Sequence, residues 1–249
     1  MKAVTSFTDS VGIFTTTYSY LQKSKKAEAS VEALKLEWAQ DILSRLKVEL
    51  EVVGEVSQEK SMLFVGNHIS YLDIPVLMST VRGLSFVAKE EVSAWPIIGN
   101  AATKIDTVFV KRENNSSRAT ARKSIAEALE RGQRVALFPS GTTCIREKKD
   151  WRRGAFEIAH EQDLFVQPFR VYYFPLRASA YIDDDFLPTH LYNLFGLEKI
   201  QAKIEFHEPV KIKDVIADCT YWQNWTRDFV DRNFTIEAEA KADLILGLN

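Results

Sequence analysis

Only two cysteines, Cys144 and Cys219, occur in this chain of 249 residues. That excludes a disulfide framework and any cysteine-based metal spacing, and it fits a reducing, cytosolic setting. The four histidines, at 68, 160, 190 and 207, are too scattered for a structural zinc site. No excess of charge exists either: the formal net charge is -2, which argues against a nucleic-acid partner. Long hydrophobic runs are missing as well. A spanning helix needs roughly 18 uncharged apolar residues, and the nearest stretch, Val11 to Leu21, is short and rich in Thr, Ser and Tyr. It also lacks the apolar block of a signal peptide. The expectation is a soluble protein, or one that lies on a membrane surface without crossing it. Lys23, Lys25 and Lys26 beside Phe7, Ile13, Phe14, Tyr18 and Leu21 suit an interfacial anchor; a solvated terminus is the alternative.

What is present is a substantial apolar fraction, 46%, enough to build a sizeable core, with no repeat and no Pro/Gly-rich linker to divide it. A helical extension over residues 1–50 followed by one domain over 51–249 is the simplest organisation. Leu34, Trp38, Ile42 and Leu46 recur every four residues and predict a helix whose stripe packs on the domain. Strands are predicted at 48–53, 62–65, 84–88, 107–110, 134–138, 164–173 and 203–206. Helices are predicted at 72–81, 117–131, 153–162 and 222–242, and a loop links the strands at 84–88 and 107–110. Alternation of this kind predicts an α/β fold: a mostly parallel mixed sheet of about seven strands covered by helices. In such folds, sites form beyond the carboxyl ends of strands.

Four segments fall at those ends. Asn67-His68-Ile69-Ser70-Tyr71-Leu72-Asp73 follows the apolar run Met62 to Val65. A histidine there suits proton abstraction near neutral pH, and an aspartate five residues on can orient its ring. Ser70-x-x-Asp73 also reads as a capping box, so Asp73 has a purely structural reading too. The second segment carries Lys89-Glu90, then Pro96 and Gly99, and ends on Lys111-Arg112. Those cations fit a phosphate, or are a solvated strand end. The third is Phe138-Pro139-Ser140-Gly141-Thr142-Thr143, in which a glycine turn exposes N–H groups to an anion or simply turns the chain. The fourth, Val166-Gln167-Pro168, is a strand interrupted by proline.

Together and in this order the four segments resemble the glycerolipid acyltransferase family, over residues 60–175. Its first block, Asn-His with Asp five residues after the His, is matched by Asn67, His68 and Asp73. Its second is matched by Lys89, Glu90, Pro96, Gly99 and Arg112. Its third, Phe-Pro-Glu-Gly-Thr-Arg, is matched by Phe138, Pro139, Gly141 and Thr142, and Arg153-Gly154-Ala155-Phe156 looks like the segment that follows. The resemblance implies that His68 takes a proton from a lysolipid hydroxyl, with Asp73 orienting it. The hydroxyl oxygen then attacks an acyl thioester of coenzyme A or acyl carrier protein. It further implies substrate contacts from Asn67, Lys89, Lys111, Arg112, Ser140, Gly141 and Thr142, and work at the cytoplasmic face of a membrane. No metal or cofactor is implied. Ser140 stands where the family usually has Glu, and Thr143 where it often has Arg. Both positions line the family's acceptor site, so the resemblance leaves 1-acylglycerol-3-phosphate as the default acceptor and a lyso-ornithine lipid as its rival. Two further readings remain. Ser140 invites a serine hydrolase, although the first glycine of a nucleophile elbow is missing. A lipid-binding protein without turnover is the other.

Overall fold

The computed structural model describes residues 2–26, 30–111 and 115–246. Two N-terminal helices, α1 (Lys2–Lys23) and α2 (Val31–Arg45), precede strands β1 (Val48–Val53) and β2 (Met62–Gly66). Then follow α3 (Asp73–Thr80), β3 (Leu84–Lys89), a 3₁₀ turn (Glu90–Ala94), α4 (Ile98–Lys104), β4 (Val108–Val110) and α5 (Asn115–Glu130). The second half holds β5 (Arg134–Leu137), α6 (Gly154–Glu161), β6 (Phe165–Phe174), the single turn α7 (Leu176–Ser179) and α8 (Leu187–Phe195). Strands β7 (Ile200–Phe206) and β8 (Val210–Lys211) and the helix α9 (Val215–Leu246) complete it. Arg112 lies outside the described residues.

The strands form one sheet in the order β1-β7-β6-β2-β5-β3-β4, with β8 pairing the start of β6. Strands β6, β2, β5, β3 and β4 are mutually parallel, β7 and β8 run against β6, and β1 is parallel to β7. The expected mixed, mostly parallel sheet is therefore present, with eight strands among the described residues where about seven were expected.

Both faces of the centre are covered, which is why β2 reads as an unbroken apolar run rather than an alternating one. Met62 and Phe64 join a core layer built with Ile42, Leu46, Val76 and Leu77, while Leu63 and Val65 join the opposite layer with Leu129, Phe156 and Trp222. Of the stripe on α2, Ile42 and Leu46 are buried and Leu34 and Trp38 are half-buried.

The segment expected as a loop before β4 instead carries the 3₁₀ turn and α4. Pro96 and a γ-turn at Ile97 separate them: φ is 66° and ψ -55°, and Ile98 N–H donates to Pro96 C=O at 2.7 Å. Each piece is too short to show a helical period. β6 is fastened to α9 through Arg170, whose guanidinium forks onto Glu205 at 2.7 and 2.8 Å and lies over Trp225 and Phe229. Replacing Arg170 with alanine leaves Glu205 unpaired beside a void, and should destabilise the fold by about 3 kcal/mol in a denaturant titration.

Candidate active site

The carboxyl ends of β5, β2 and β6 converge where the chain, having built β3, β4 and β5 on one side of β2, crosses to its other side. This is the switch point at which open α/β sheets hold ligands. Residues 67–72 leave β2 there and are pinned on every side. Asn67 is buried, and its amide both donates to Val171 C=O and accepts from Val171 N–H, each at 2.9 Å. It thus adds one rung beyond the β2–β6 ladder, which ends at Gly66. The side chain expected to touch substrate therefore holds the loop instead, because both its polar ends are taken by backbone. His68 C=O accepts from Cys144 N–H at 2.8 Å, and Ile69 C=O from Tyr181 N–H at 3.1 Å.

Within that frame His68 and Asp73 meet. Nδ1 of His68 lies 2.6 Å from Oδ2 of Asp73, which also accepts the N–H groups of Ile69 at 2.8 Å and Ser70 at 3.2 Å. Only half of the capping box forms: Oδ2 reaches back to the Ser70 amide and grips the imidazole, while the Ser70 hydroxyl is buried without a partner among the described residues. The carboxylate sits in the first turn of α3, where the helix dipole favours negative charge. An oxygen that already accepts two amides calls for a donor, so Nδ1 carries the proton and Nε2 presents its lone pair. His68 is 19% exposed and Asp73 1%, so the base faces solvent while its partner is sealed.

The other oxygen, Oδ1, accepts the hydroxyl of Tyr173 at 2.7 Å. Tyr173 is fully buried, and burial together with the Asp73 charge pushes its phenol well above its ordinary value, so it is a fixed donor. Tyr173→Phe leaves Oδ1 of Asp73 buried and unpaired. The expected result is a loss of about 1–3 kcal/mol in thermal or chemical unfolding, with a measurable fall in turnover.

The loop after β5 closes the site. Phe138 stacks on the His68 ring at 4.0 Å and 14°, braced edge-on by Phe169 at 5.9 Å. Gly141 takes φ +73° and its N–H returns to Phe138 C=O at 2.9 Å, closing a tight turn. Ser140 donates its hydroxyl to Thr142 C=O at 2.8 Å, so it serves the turn and does not pair with the imidazole as a nucleophile would. Thr142 is exposed on the same loop. Cys144 stands behind it. Burial first, then Glu147, pushes its thiol up to about 11. A neutral thiol is unreactive, so iodoacetamide at neutral pH should leave Cys144 unlabelled in mass spectra, with labelling rising only above about pH 9.

Of the predicted cations, Lys89 and Lys111 share no hydrogen bond or ion pair with this group. Lys89 is exposed at the end of β3, and Lys111, after β4, pairs with Glu90 at 3.2 Å. β3 lies two strands from β2, about 10 Å at ~4.8 Å per strand. Between them and α1 opens an apolar cleft of about 220 Å³, lined by Tyr20, Leu21, Trp38, Ile74, Met78, Phe86, Ala101 and Ile105. Ile74, the residue after Asp73 on α3, is part of its lining. On β6, Tyr172 bonds Glu237 at 2.9 Å and Phe169 belongs to the core, and neither lines this cleft.

An imidazole held by a buried carboxylate at the switch point of a mostly parallel sheet is an arrangement suited to taking a proton from a hydroxyl. Comparison with known proteins makes the class specific. The acyltransferase family model matches residues 47–172, and the chain belongs to that family, as an O-acyltransferase. It is 34% identical over 178 residues to a lyso-ornithine lipid O-acyltransferase of Pseudomonas aeruginosa, covering 70% of this chain and 68% of that protein. It is 29% identical over 178 residues to a 1-acyl-sn-glycerol-3-phosphate acyltransferase of Neisseria meningitidis, covering 69% of each. In fold it matches the crystal structure of the 1-acyl-sn-glycerophosphate acyltransferase PlsC from Thermotoga maritima. That match has a TM-score of 0.69 and 17% identity, over 93% of this chain and 97% of that one.

Proposed function

We propose that this protein moves a fatty acyl group from an acyl thioester, of coenzyme A or acyl carrier protein, to the free hydroxyl of a lysolipid whose head group carries a phosphate or a carboxylate. The observation that carries the reading is the buried Asp73 carboxylate fixing His68 with Nε2 outward. Nε2 takes the hydroxyl proton as the oxygen attacks the thioester carbonyl. The tetrahedral intermediate then collapses, the C–S bond breaks, and the departing sulfur takes the proton back from His68. One ester forms and one thiol is released, with no covalent enzyme intermediate and no metal or cofactor; the thioester is a co-substrate. The Gly141 N–H is spent inside its turn, so the amides of Thr142 and Thr143, which bond no described residue, are the donors proposed for the oxyanion.

The apolar cleft is the proposed seat of the acyl chain. Ala101→Phe narrows it and should lower kcat/KM for long-chain donors while sparing short ones, since each methylene left outside forfeits ~0.8 kcal/mol. A uniform loss at every chain length would count against that seat. Among the described residues no helix is long and apolar enough to cross a membrane. Exposed Lys23, Lys25 and Lys26 at the end of α1, with exposed Tyr18, support contact with a membrane surface from one side.

Two acceptors fit. 1-Acylglycerol-3-phosphate matches the family's default, while the 34% identity to a lyso-ornithine lipid enzyme and Thr143 in place of arginine favour a lyso-ornithine lipid. Mass spectrometry of products from both lysolipids with both donor carriers tests the reading. A diacyl product from either names the acceptor, and binding of lysolipid without any product would point to a protein that has lost turnover.

A further inference from the structure

A cation outside the four segments reaches the same loop as the base. Arg152 follows the buried Trp151, whose N–H donates to Gln223 at 3.1 Å, and its own N–H donates to Pro139 C=O at 3.1 Å. Fixed at its backbone, Arg152 extends over the Gly141 turn. A Cβ added to Gly141 would lie 2.8 Å from both Cζ and Nη1 of Arg152, and 3.2 Å from Nη2. The guanidinium therefore rests on the bare face of the glycine, as the imidazole rests on Phe138 three residues earlier. Arg152 is exposed, and among the described residues no carboxylate pairs with it, in contrast to Lys111.

We propose that Arg152 is the clamp for the acceptor's anionic head group, a phosphate monoester or a carboxylate, and so selects the lysolipid presented to His68. The assignment rests on the acyl-transfer reading for the nature of the ligand. The chemistry fits: a planar guanidinium binds either anion through two parallel N–H···O bonds. In both candidate lysolipids the reacting hydroxyl lies only a few bonds from the anion. The loop after β5 touches both groups, His68 at Phe138 and Arg152 at Gly141, and can therefore present anion and hydroxyl together. The glycine has a second reason to be glycine, since a side chain would lift the guanidinium off the loop.

The test is calorimetric, on the chemically silent His68→Ala protein, with short-chain lysophosphatidate, short-chain lyso-ornithine lipid and monoacylglycerol of equal chain length. Adding Arg152→Ala should weaken binding of an anionic lipid about 10- to 100-fold, with Arg152→Lys in between. Monoacylglycerol should change by less than about threefold. Gly141→Ala, with its circular dichroism checked, should reproduce the anionic loss. An effect confined to lysophosphatidate makes the ligand a phosphate, and one confined to lyso-ornithine lipid makes it a carboxylate. Unchanged anionic affinity, or an equal loss for the neutral lipid, overturns the clamp. Wild-type protein that binds with this preference yet transfers no acyl group would sink the acyl-transfer reading alone.

Discussion

Replacing His68 with alanine should lower acyl transfer by about 10²- to 10⁴-fold while the protein stays folded. The rate loss follows from geometry: the hydroxyl to be acylated is a weak nucleophile with a pKa far above neutrality, and Nε2 is the group positioned to take its proton. The fold survives because the loop is held by its backbone, and Oδ2 of Asp73, on losing the imidazole, still accepts the amides of Ile69 and Ser70. The His68 carbonyl accepts from Cys144 N–H, which alanine preserves, and its ring is 19% exposed rather than core. The void beside Phe138 is open to solvent, so the cost in stability should stay below about 1 kcal/mol. Steady-state rates and unfolding midpoints measured on one preparation separate the two effects. A variant that keeps a tenth of its activity would remove His68 as the base. One that unfolds would show that its stack on Phe138 bears structure.

Much of this was legible from the sequence, for physical reasons that differ from element to element. Met62 to Val65 and Phe165 to Tyr173 read correctly as strands because both faces of the central sheet are buried, which forces continuous apolar runs. His68 and Asp73 were legible as a pair because a five-residue separation brings them together through the start of one helix. α8 was missed although Pro188 is a start signal and Leu187, Leu191 and Leu194 mark an apolar face. Its nine residues are short, and the aspartates before it read as loop. Tyr173 stands in the sequence as the end of a predicted strand, with nothing local to mark it. Its meeting with Asp73 spans 100 residues and exists only because β6 lies beside β2. Arg152 was passed over for the same reason: nothing local marks a guanidinium that folds back onto a glycine eleven positions earlier. Gln167 is a milder case. Read only as part of a strand interrupted by proline, it is buried and bonds Glu55 C=O, His207 C=O and Ser57 N–H, which fastens two loops to β6.

Asp73→Asn should be the more damaging substitution, because it fails in two ways at once. Asp73 accepts four hydrogen bonds: from His68 and the amides of Ile69 and Ser70 on one oxygen, and from Tyr173 on the other. An asparagine offers one acceptor and one donor in the same space. If its oxygen keeps the amides and the imidazole, its NH₂ faces the Tyr173 hydroxyl, which can turn to accept. His68 then loses the full negative charge that stabilises the imidazolium, and the rate should fall about 10³- to 10⁴-fold. If the amide is flipped, its NH₂ opposes two backbone N–H groups in a sealed site, at about 1–3 kcal/mol for each unsatisfied group. Either arrangement leaves a variant that is slow and less stable, whereas His68→Ala is slow alone. The two variants together therefore separate chemistry from scaffold. Asp73→Asn should shift the unfolding midpoint and suppress turnover, and adding it to His68→Ala should reduce the rate little further, because a carboxylate with no imidazole to hold has no proton transfer to assist. A double variant that loses both increments in full would mean that Asp73 acts on the substrate directly.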